Sequence, residues 1–253
     1  MKQFHILPLS RQFEVYIRLG LMDYKVATQK NLTTHLTLRF KKLLVSFMDL
    51  NHAKYIPEYW SPKQQRAALD ALMPVIAKAP FFKPRMPRTN QPWSIVMTNA
   101  GSLGWVSDVN GYRYQAAHPE TGETWPPLPN ILQGAWTDLT GLDVPAECCL
   151  INLYQGQRAK MGLHQDRDEI DKSFPVLSFS LGDSARFRIG GKTRKGPTQS
   201  VKLNSGDVVI LQGVSRLSFH GIDRIMPDSS QLIDDYIEGG GRINLTLRRV
   251  NPA

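Results

Sequence analysis

Hydrophobic residues recur along this chain at two periods, and the change between them falls past its midpoint. Ala68, Leu69, Leu72, Met73 and Ile76 lie at helical spacing. Ser61 opens that stretch as an N-cap, with Pro62 at the first helical position and Gln64 completing a capping box. Pro74 is expected to kink or end the helix, since it has no N–H and its ring crowds the carbonyl four residues back. A second helix is predicted over 129–139, closed by Gly141. From 147 onward the period becomes two. Strands are predicted over 147–155, 160–166, 175–182, 185–190, 199–203, 207–212, 215–222 and 242–250. Leu177, Phe179 and Leu181 alternate with Ser178 and Ser180, and Phe187 and Ile189 alternate with Arg186 and Arg188. Upstream, 93–98 reads as a strand and 80–92 as a Pro-, Arg- and Lys-rich loop. Residues 99–127 read as a Gly/Pro-rich loop carrying Trp105, Tyr112, Tyr114 and Trp125.

Short strands at this spacing, with helices confined to the first half, place the chain in the α+β class. The expected architecture is a double-stranded β-helix, or jelly roll, buttressed by N-terminal helices. One domain is expected over 48–253, with its strand and lid region at 93–127 and its jelly-roll core at 147–250. Residues 1–47 show no sustained periodicity and read as a poorly defined basic extension. Three readings of it stay open: a disordered segment, a targeting segment, or a coding start that really lies at Met48.

The last predicted strand is the most informative. At a period of two, Ile243, Leu245 and Leu247 point one way, while Arg242, Asn244, Thr246 and Arg248 point the other. Six residues separate the two arginines by roughly 20 Å at ~3.3 Å per residue. Two long guanidinium side chains close most of that gap, so this face suits a short dianion.

Composition changes this picture little. Hydrophobic content of 42% and charged content of 21% are those of an ordinary globular protein. No apolar run approaches the ~20 residues of a membrane span. Cys148 and Cys149 are the only cysteines, and adjacent cysteines rarely bridge, so a reducing cytoplasm is expected. The net charge is +9, but residues 1–47 hold eight Lys or Arg against two acidic residues. The basic balance therefore belongs mostly to the extension, and is weak evidence for nucleic-acid binding by the rest.

His164 and Asp166 sit at i and i+2, which puts both on one face of a strand or its end, and His220 ends another predicted strand. Two histidines and a carboxylate with open positions suit a non-heme Fe(II) centre. The tripeptide alone is worth little, and a tetrahedral zinc hydrolase uses similar residues. The Arg242–Arg248 face separates the two, because an oxygenase with a dicarboxylate cosubstrate uses paired guanidiniums.

Residues from about 93 to 250 resemble the AlkB family of Fe(II)/2-oxoglutarate-dependent dealkylation repair enzymes, in its bacterial branch. The matching motifs are Asn152-Leu153-Tyr154, His164-Gln165-Asp166-Arg167-Asp168, Gly206-Asp207-Val208-Val209, Ser215-Arg216-Leu217 leading to His220-Gly221-Ile222, and Arg242-x-Asn244-x-Thr246-x-Arg248. Met97-Thr98-Asn99, Leu103-Gly104-Trp105 and Gly111-Tyr112-x-Tyr114 also match. The resemblance implies that His164, Asp166 and His220 bind Fe(II). It implies that Arg242 and Arg248 hold the carboxylates of 2-oxoglutarate, with Asn152, Tyr154 and Asn244 hydrogen-bonding to it. It further implies a nucleotide-recognition lid, with Trp105, Tyr112, Tyr114, Asp168 and Arg194 contacting the substrate. Thr246 receives no role.

The implied activity is oxidative demethylation of bases such as 1-methyladenine and 3-methylcytosine, in single-stranded DNA or in RNA. It consumes O2 and releases formaldehyde, succinate and CO2. A base flipped into a pocket wants an aromatic partner, worth ~1–3 kcal/mol, and four aromatics in one loop are harder to bury together than one. A monomer with no membrane association is expected. Two alternatives stand beside this: the same iron chemistry on RNA, protein or a small molecule, and a catalytically silent binding protein that keeps the fold.

Overall fold

A strand with one apolar face must cover it, and here one sheet is covered on both sides. The computed structural model describes residues 47–253 in full, together with the backbone alone of two upstream strands, β1 (Phe13–Leu19) and β2 (Met22–Thr28). The chain divides into two units, Met1–Ser46 and Phe47–Ala253. In the first, β1 and β2 pair antiparallel, a hairpin that the weak periodicity there does not announce. The other expectations for 1–47 lie outside the described residues.

In the second unit, β3 (Met48–Leu50) and β4 (Ala53–Ile56) precede helix α1 (Pro62–Lys78). Next come β5 (Val96–Gly101), β6 (Gly104–Asp108), β7 (Gly111–Gln115) and helix α2 (Asn130–Thr140). The remaining strands are β8 (Cys148–Tyr154), β9 (Met161–His164), β10 (Val176–Gly182), β11 (Ser184–Gly190) and β12 (Thr198–Leu203). They are followed by β13 (Val208–Leu211), β14 (His220–Met226) and β15 (Arg242–Arg248). A large sheet runs β3-β4-β13-β10-β15-β8-β5 and a smaller one β12-β11-β14-β9, both antiparallel. Two facing antiparallel sheets are the jelly roll that the alternation predicts.

The alternation sorts the core into two layers. On the outer face of the large sheet, Ile151, Leu153, Phe179, Leu181, Leu245 and Leu247 pack with Leu69, Leu72, Leu132 and Trp136 of the helices. Between the sheets, Leu150, Tyr154, Val176, Val209 and Leu211 meet Phe187, Ile189, Leu203 and Ile222. Each such side chain contributes on the order of 1.5–3 kcal/mol by burial. The Ser61 capping box forms, with the Gln64 N–H on Ser61 Oγ and the Ser61 N–H on Gln64 Oε1 at 3.0 Å. Gly141 closes α2 at φ 68°, the left-handed conformation that favours glycine.

Four local expectations are corrected. Pro74 does not end α1, which continues to Lys78. Pro74 is exposed, on the side away from the sheet, while Leu72 and Val75 are buried and hold the helix in place. The loop expected over 99–127 contains the β6–β7 hairpin, with Trp105 opposite Tyr114. Its aromatic and Gly spacing hid a two-residue turn at Val109-Asn110. The strand expected over 215–222 is a 3-10 turn at Gly213–Ser215, and β14 starts only at His220. Trp125, grouped with the lid aromatics, is core: it is 5% exposed against Phe82 and His118, and its indole N–H donates to the Gln115 carbonyl at 2.8 Å. Among the described residues no helix is long and apolar enough to cross a membrane.

Candidate metal centre and cosubstrate pocket

His164 ends β9 and His220 begins β14, and the two residues are direct partners across that antiparallel pair. Their rings lie 4.5 Å apart, centroid to centroid. Each ring is oriented from behind by a backbone carbonyl. Nδ1 of His164 is 2.9 Å from Gly162 O, and Nδ1 of His220 is 3.0 Å from Ser218 O. A carbonyl accepts only, so Nδ1 carries the proton and Nε2 of each ring is left as a lone-pair donor. Asp166 lies two residues beyond the end of β9, with its carboxylate 3.6 Å from His164 Nε2 and 3.8 Å from His220 Nε2. The ligand atoms of the three residues all lie within 4.8 Å of one another. Two imidazoles and one carboxylate converging this way fit a divalent iron.

The electrostatics keep these groups in ligating form. Burial, then the neighbouring His164 ring, pulls His220 down to about 4, so its imidazole is neutral at pH 7. Burial alone would raise Asp166, but the Arg248 guanidinium leads the effects that outweigh it and hold the carboxylate below its usual range. Arg248 reaches Asp166 at 2.9 Å and, through Nε, the buried Glu169 at 3.3 Å. Arg216 completes this set. It donates to the Asp166 backbone carbonyl at 2.7 Å and to Phe174 O at 2.7 Å, and pairs with Glu169 at 3.0 Å. The segment after β9 is thus tied down by two arginines, which fixes Asp166 although no strand holds it. Sequence reading assigned no role to Glu169 or Arg216. The signal was Arg216 within the matched Ser-Arg-Leu motif, and Glu169 next to Asp168.

The polar face of β15 points into a cavity of about 740 Å³, together with the triad. Arg248 is at the triad end. Arg242 is at the other end, and its environment differs. It is 0% exposed, donates to Ser180 Oγ at 2.6 Å and to the Asp183 carbonyl at 3.1 Å, and leaves Nε unpaired. Among the described residues no carboxylate forms an ion pair with it; Asp207 and Asp183 favour its charge from a distance, but burial outweighs them and lowers its guanidinium to about 10, still charged at pH 7. A buried cation without a paired anion is costly, and an anion that joins it relieves that cost. Between the arginines, Asn244 Nδ2 donates to Ser178 Oγ at 2.8 Å and Phe179 O at 3.0 Å. Its Oδ1 accepts from Asn152 Nδ2 at 3.3 Å and from Thr246 Oγ1 at 3.0 Å. Thr246 therefore orients Asn244, and the oxygen of Asn152 stays buried and unpaired. Tyr154 stands opposite Arg242 on β8 and lines the same cavity.

The expected lid residues fall at the cavity rim, with different surroundings. The Trp105 indole stacks on Tyr112 at 5.6 Å and 14°, and its N–H donates to Asp168 Oδ2 at 2.8 Å. Trp93 meets Trp105 edge-on at 5.9 Å, a contact that sequence reading missed. Tyr112 is 49% exposed. Tyr114 points inward, and its hydroxyl donates to Glu169 Oε1 at 2.8 Å. It joins the hairpin to the Arg248 network. Arg194 is exposed in the β11–β12 connection and lines the cavity mouth.

A jelly roll whose cavity joins a two-histidine, one-carboxylate cluster to a buried guanidinium with no ion-pair partner belongs with the Fe(II)- and 2-oxoglutarate-dependent oxygenases. The family model of the 2OG-Fe(II) oxygenase superfamily matches residues 52–248. The "Alpha-ketoglutarate-dependent dioxygenase AlkB homolog" of Caulobacter vibrioides is 54% identical over 189 residues, 75% of this chain and 83% of that one. The "Alpha-ketoglutarate-dependent dioxygenase AlkB" of Escherichia coli is 41% identical over 160 residues, 62% and 71% of the two chains. The solved structure of OsALKBH1 superposes with a TM-score of 0.67 at 28% identity, over 81% of this chain and 99% of that one. This chain belongs to the AlkB family. It is a dioxygenase that uses Fe(II), 2-oxoglutarate and O2.

Proposed function

We propose that this enzyme removes alkyl groups oxidatively from nucleobases such as 1-methyladenine and 3-methylcytosine, in single-stranded DNA. The observation that carries the reading is the β6–β7 hairpin on the rim of the triad's cavity, where Trp105 is stacked on Tyr112 and pinned by Asp168. An aromatic plate beside a carboxylate suits a flat, cationic alkylated base. Two curated relatives in Arabidopsis thaliana are named DNA N(6)-methyladenine demethylases, and the human one is named a nucleic acid dioxygenase.

In this reading His164, Asp166 and His220 hold the Fe(II) through Nε2, carboxylate and Nε2. Arg242 takes the far carboxylate of 2-oxoglutarate, supported by the Tyr154 hydroxyl and by the second N–H of the Asn152 amide, whose first N–H goes to Asn244. Arg248 holds the metal end of the pocket while keeping Asp166 ionised. Asn244, set by Thr246 and Ser178, forms the floor. Bound iron with 2-oxoglutarate and O2 supplies the oxidation of the N-alkyl carbon, from which formaldehyde leaves when the group is methyl, along with succinate and CO2. Trp105 and Tyr112 stack the flipped base, Asp168 stabilises its positive charge, and Arg194 meets the substrate at the mouth. Closing the hairpin excludes water, which strengthens each of these interactions.

The test is Fe(II)-loaded protein, prepared anaerobically, with 2-oxoglutarate and a single-stranded oligonucleotide carrying one 1-methyladenine. Succinate and formaldehyde are expected in equal amounts, dependent on the methyl group. Steady 2-oxoglutarate turnover that ignores the methylated base, with no repaired adenine, refutes the substrate assignment. A methylated RNA of the same sequence distinguishes the two nucleic acids.

A further inference from the structure

The outer face of the smaller sheet carries a charge pattern that the site does not use. Arg186 on β11 stands directly opposite Lys202 of β12 on one side and Arg224 of β14 on the other. Directly opposed residues share one face, with Cβ atoms about 4.5–5.5 Å apart, and like charges so placed destabilise a sheet. All three side chains are exposed, and no described carboxylate forms an ion pair with them. The neighbouring acid, Asp223, is extruded at the bulge where the register shifts between Arg186 and Phe187. It is committed to Arg188 at 2.8 Å.

The row is also continuous with the cavity mouth. Four residues past Arg186, about 13 Å along the strand at ~3.3 Å per residue, β11 ends at Gly190. The connection to β12 then carries Lys192, Arg194 and Lys195, all exposed, with Arg194 on the cavity wall. We propose that this face is a track for the phosphodiester backbone of the substrate strand, leading from the mouth over the β11–β12 connection to the Arg186–Lys202–Arg224 row. The proposal rests on the nucleic-acid reading above. A chain of evenly spaced phosphates relieves the repulsion within the row and needs no base-specific contact.

The test compares native enzyme, R186Q/K202Q/R224Q and R186K/R224K on a methylated 15-mer and a methylated trinucleotide too short to reach the row. The Gln variant is expected to raise KM for the 15-mer roughly tenfold at moderate salt. It is expected to flatten the slope of log affinity on log salt by about 2, at ~0.7 per lost phosphate contact on a single strand. KM for the trinucleotide and kcat on both substrates stay as in the native enzyme. The Lys variant, which keeps charge without the guanidinium fork, stays within about twofold of native. An unchanged 15-mer KM and salt slope in an active Gln variant overturns the proposal, as does an equal loss on both lengths. If native enzyme repairs neither length, the substrate reading has failed. The track is then judged by anisotropy of a labelled unmodified oligonucleotide: the same flattening of the salt slope supports it, and an unchanged slope overturns it. Should the Gln variant not fold, R224Q alone is expected to change the slope by about 0.7.

Discussion

Replacing Arg242 with Met separates what a buried charge does for folding from what it does for binding. The guanidinium is 0% exposed and has two neutral hydrogen-bond partners, Ser180 Oγ and the Asp183 carbonyl. Losing those two charge-assisted bonds costs about 3–6 kcal/mol in total. Removing a buried cation that has no paired anion offsets that by several kcal/mol. The two nearly cancel, so the cosubstrate-free protein should melt close to the native enzyme. Binding goes the other way. A forked pair of charge-assisted hydrogen bonds to a carboxylate, at ~1.5–3 kcal/mol each, amounts to at least about 3 kcal/mol. At ~1.4 kcal/mol per tenfold, the 2-oxoglutarate KM should rise about 100-fold. Succinate release against 2-oxoglutarate concentration measures the KM, and thermal shift with and without 2-oxoglutarate measures stability. The native enzyme should be stabilised by 2-oxoglutarate and the variant should not. A KM within twofold of native, or a cosubstrate-free variant that melts several degrees lower, refutes the assignment of Arg242 as the anion's partner. Arg242→Lys keeps the charge and loses the fork, and should fall between the two.

Asp166→Ala should abolish succinate release and iron retention together, because it removes a ligand and leaves Arg248 with Glu169 as its one remaining ion-pair partner; full activity in this variant refutes the triad. Trp105→Ala should raise KM for a methylated oligonucleotide by a factor on the order of 10–100, from a stacking loss of ~1–3 kcal/mol, while the 2-oxoglutarate KM stays put. A rise in both would mean that Trp105 supports the pocket rather than the base. Gly221→Ala should impair iron binding without touching a ligand. Its Cβ would lie 2.5 Å from the Met161 carbonyl oxygen and 2.9 Å from that of Gly162, forcing β9 from β14 where His164 and His220 face each other. Metal titration of a folded variant showing native affinity would contradict this.

Much of the architecture was legible because burial writes a period into the chain. The alternations at Leu177–Leu181 and Ile243–Leu247 placed strands to within a residue or two, and the Ser61 capping box placed the start of α1. The failures share a cause. At Pro74, packing of Leu72 and Val75 outweighed a local preference. At 215–222, apolar spacing suggested a strand where Ser215 caps its own turn through the Gln212 carbonyl. Within 99–127, aromatic content alone did not separate the rim residue Trp105 from the core residue Trp125.

For the site, residue types and their spacing along the chain limited which chemistries were available. Two histidines, one aspartate and a polar strand face bounded by arginines were visible as residue types at fixed spacing, since a strand sends alternate side chains to one side whatever surrounds it. The difference between the two arginines comes from packing. Burial against Asp166 and Glu169 pairs Arg248 with carboxylates, while Arg242 is buried with only hydroxyl and carbonyl contacts and more distant carboxylates, a charge with no paired anion. Local spacing carries no information about which distant carboxylate a side chain meets. That depends on the packing of β8, β10 and β15 side by side and on the segment after β9 folding back over them.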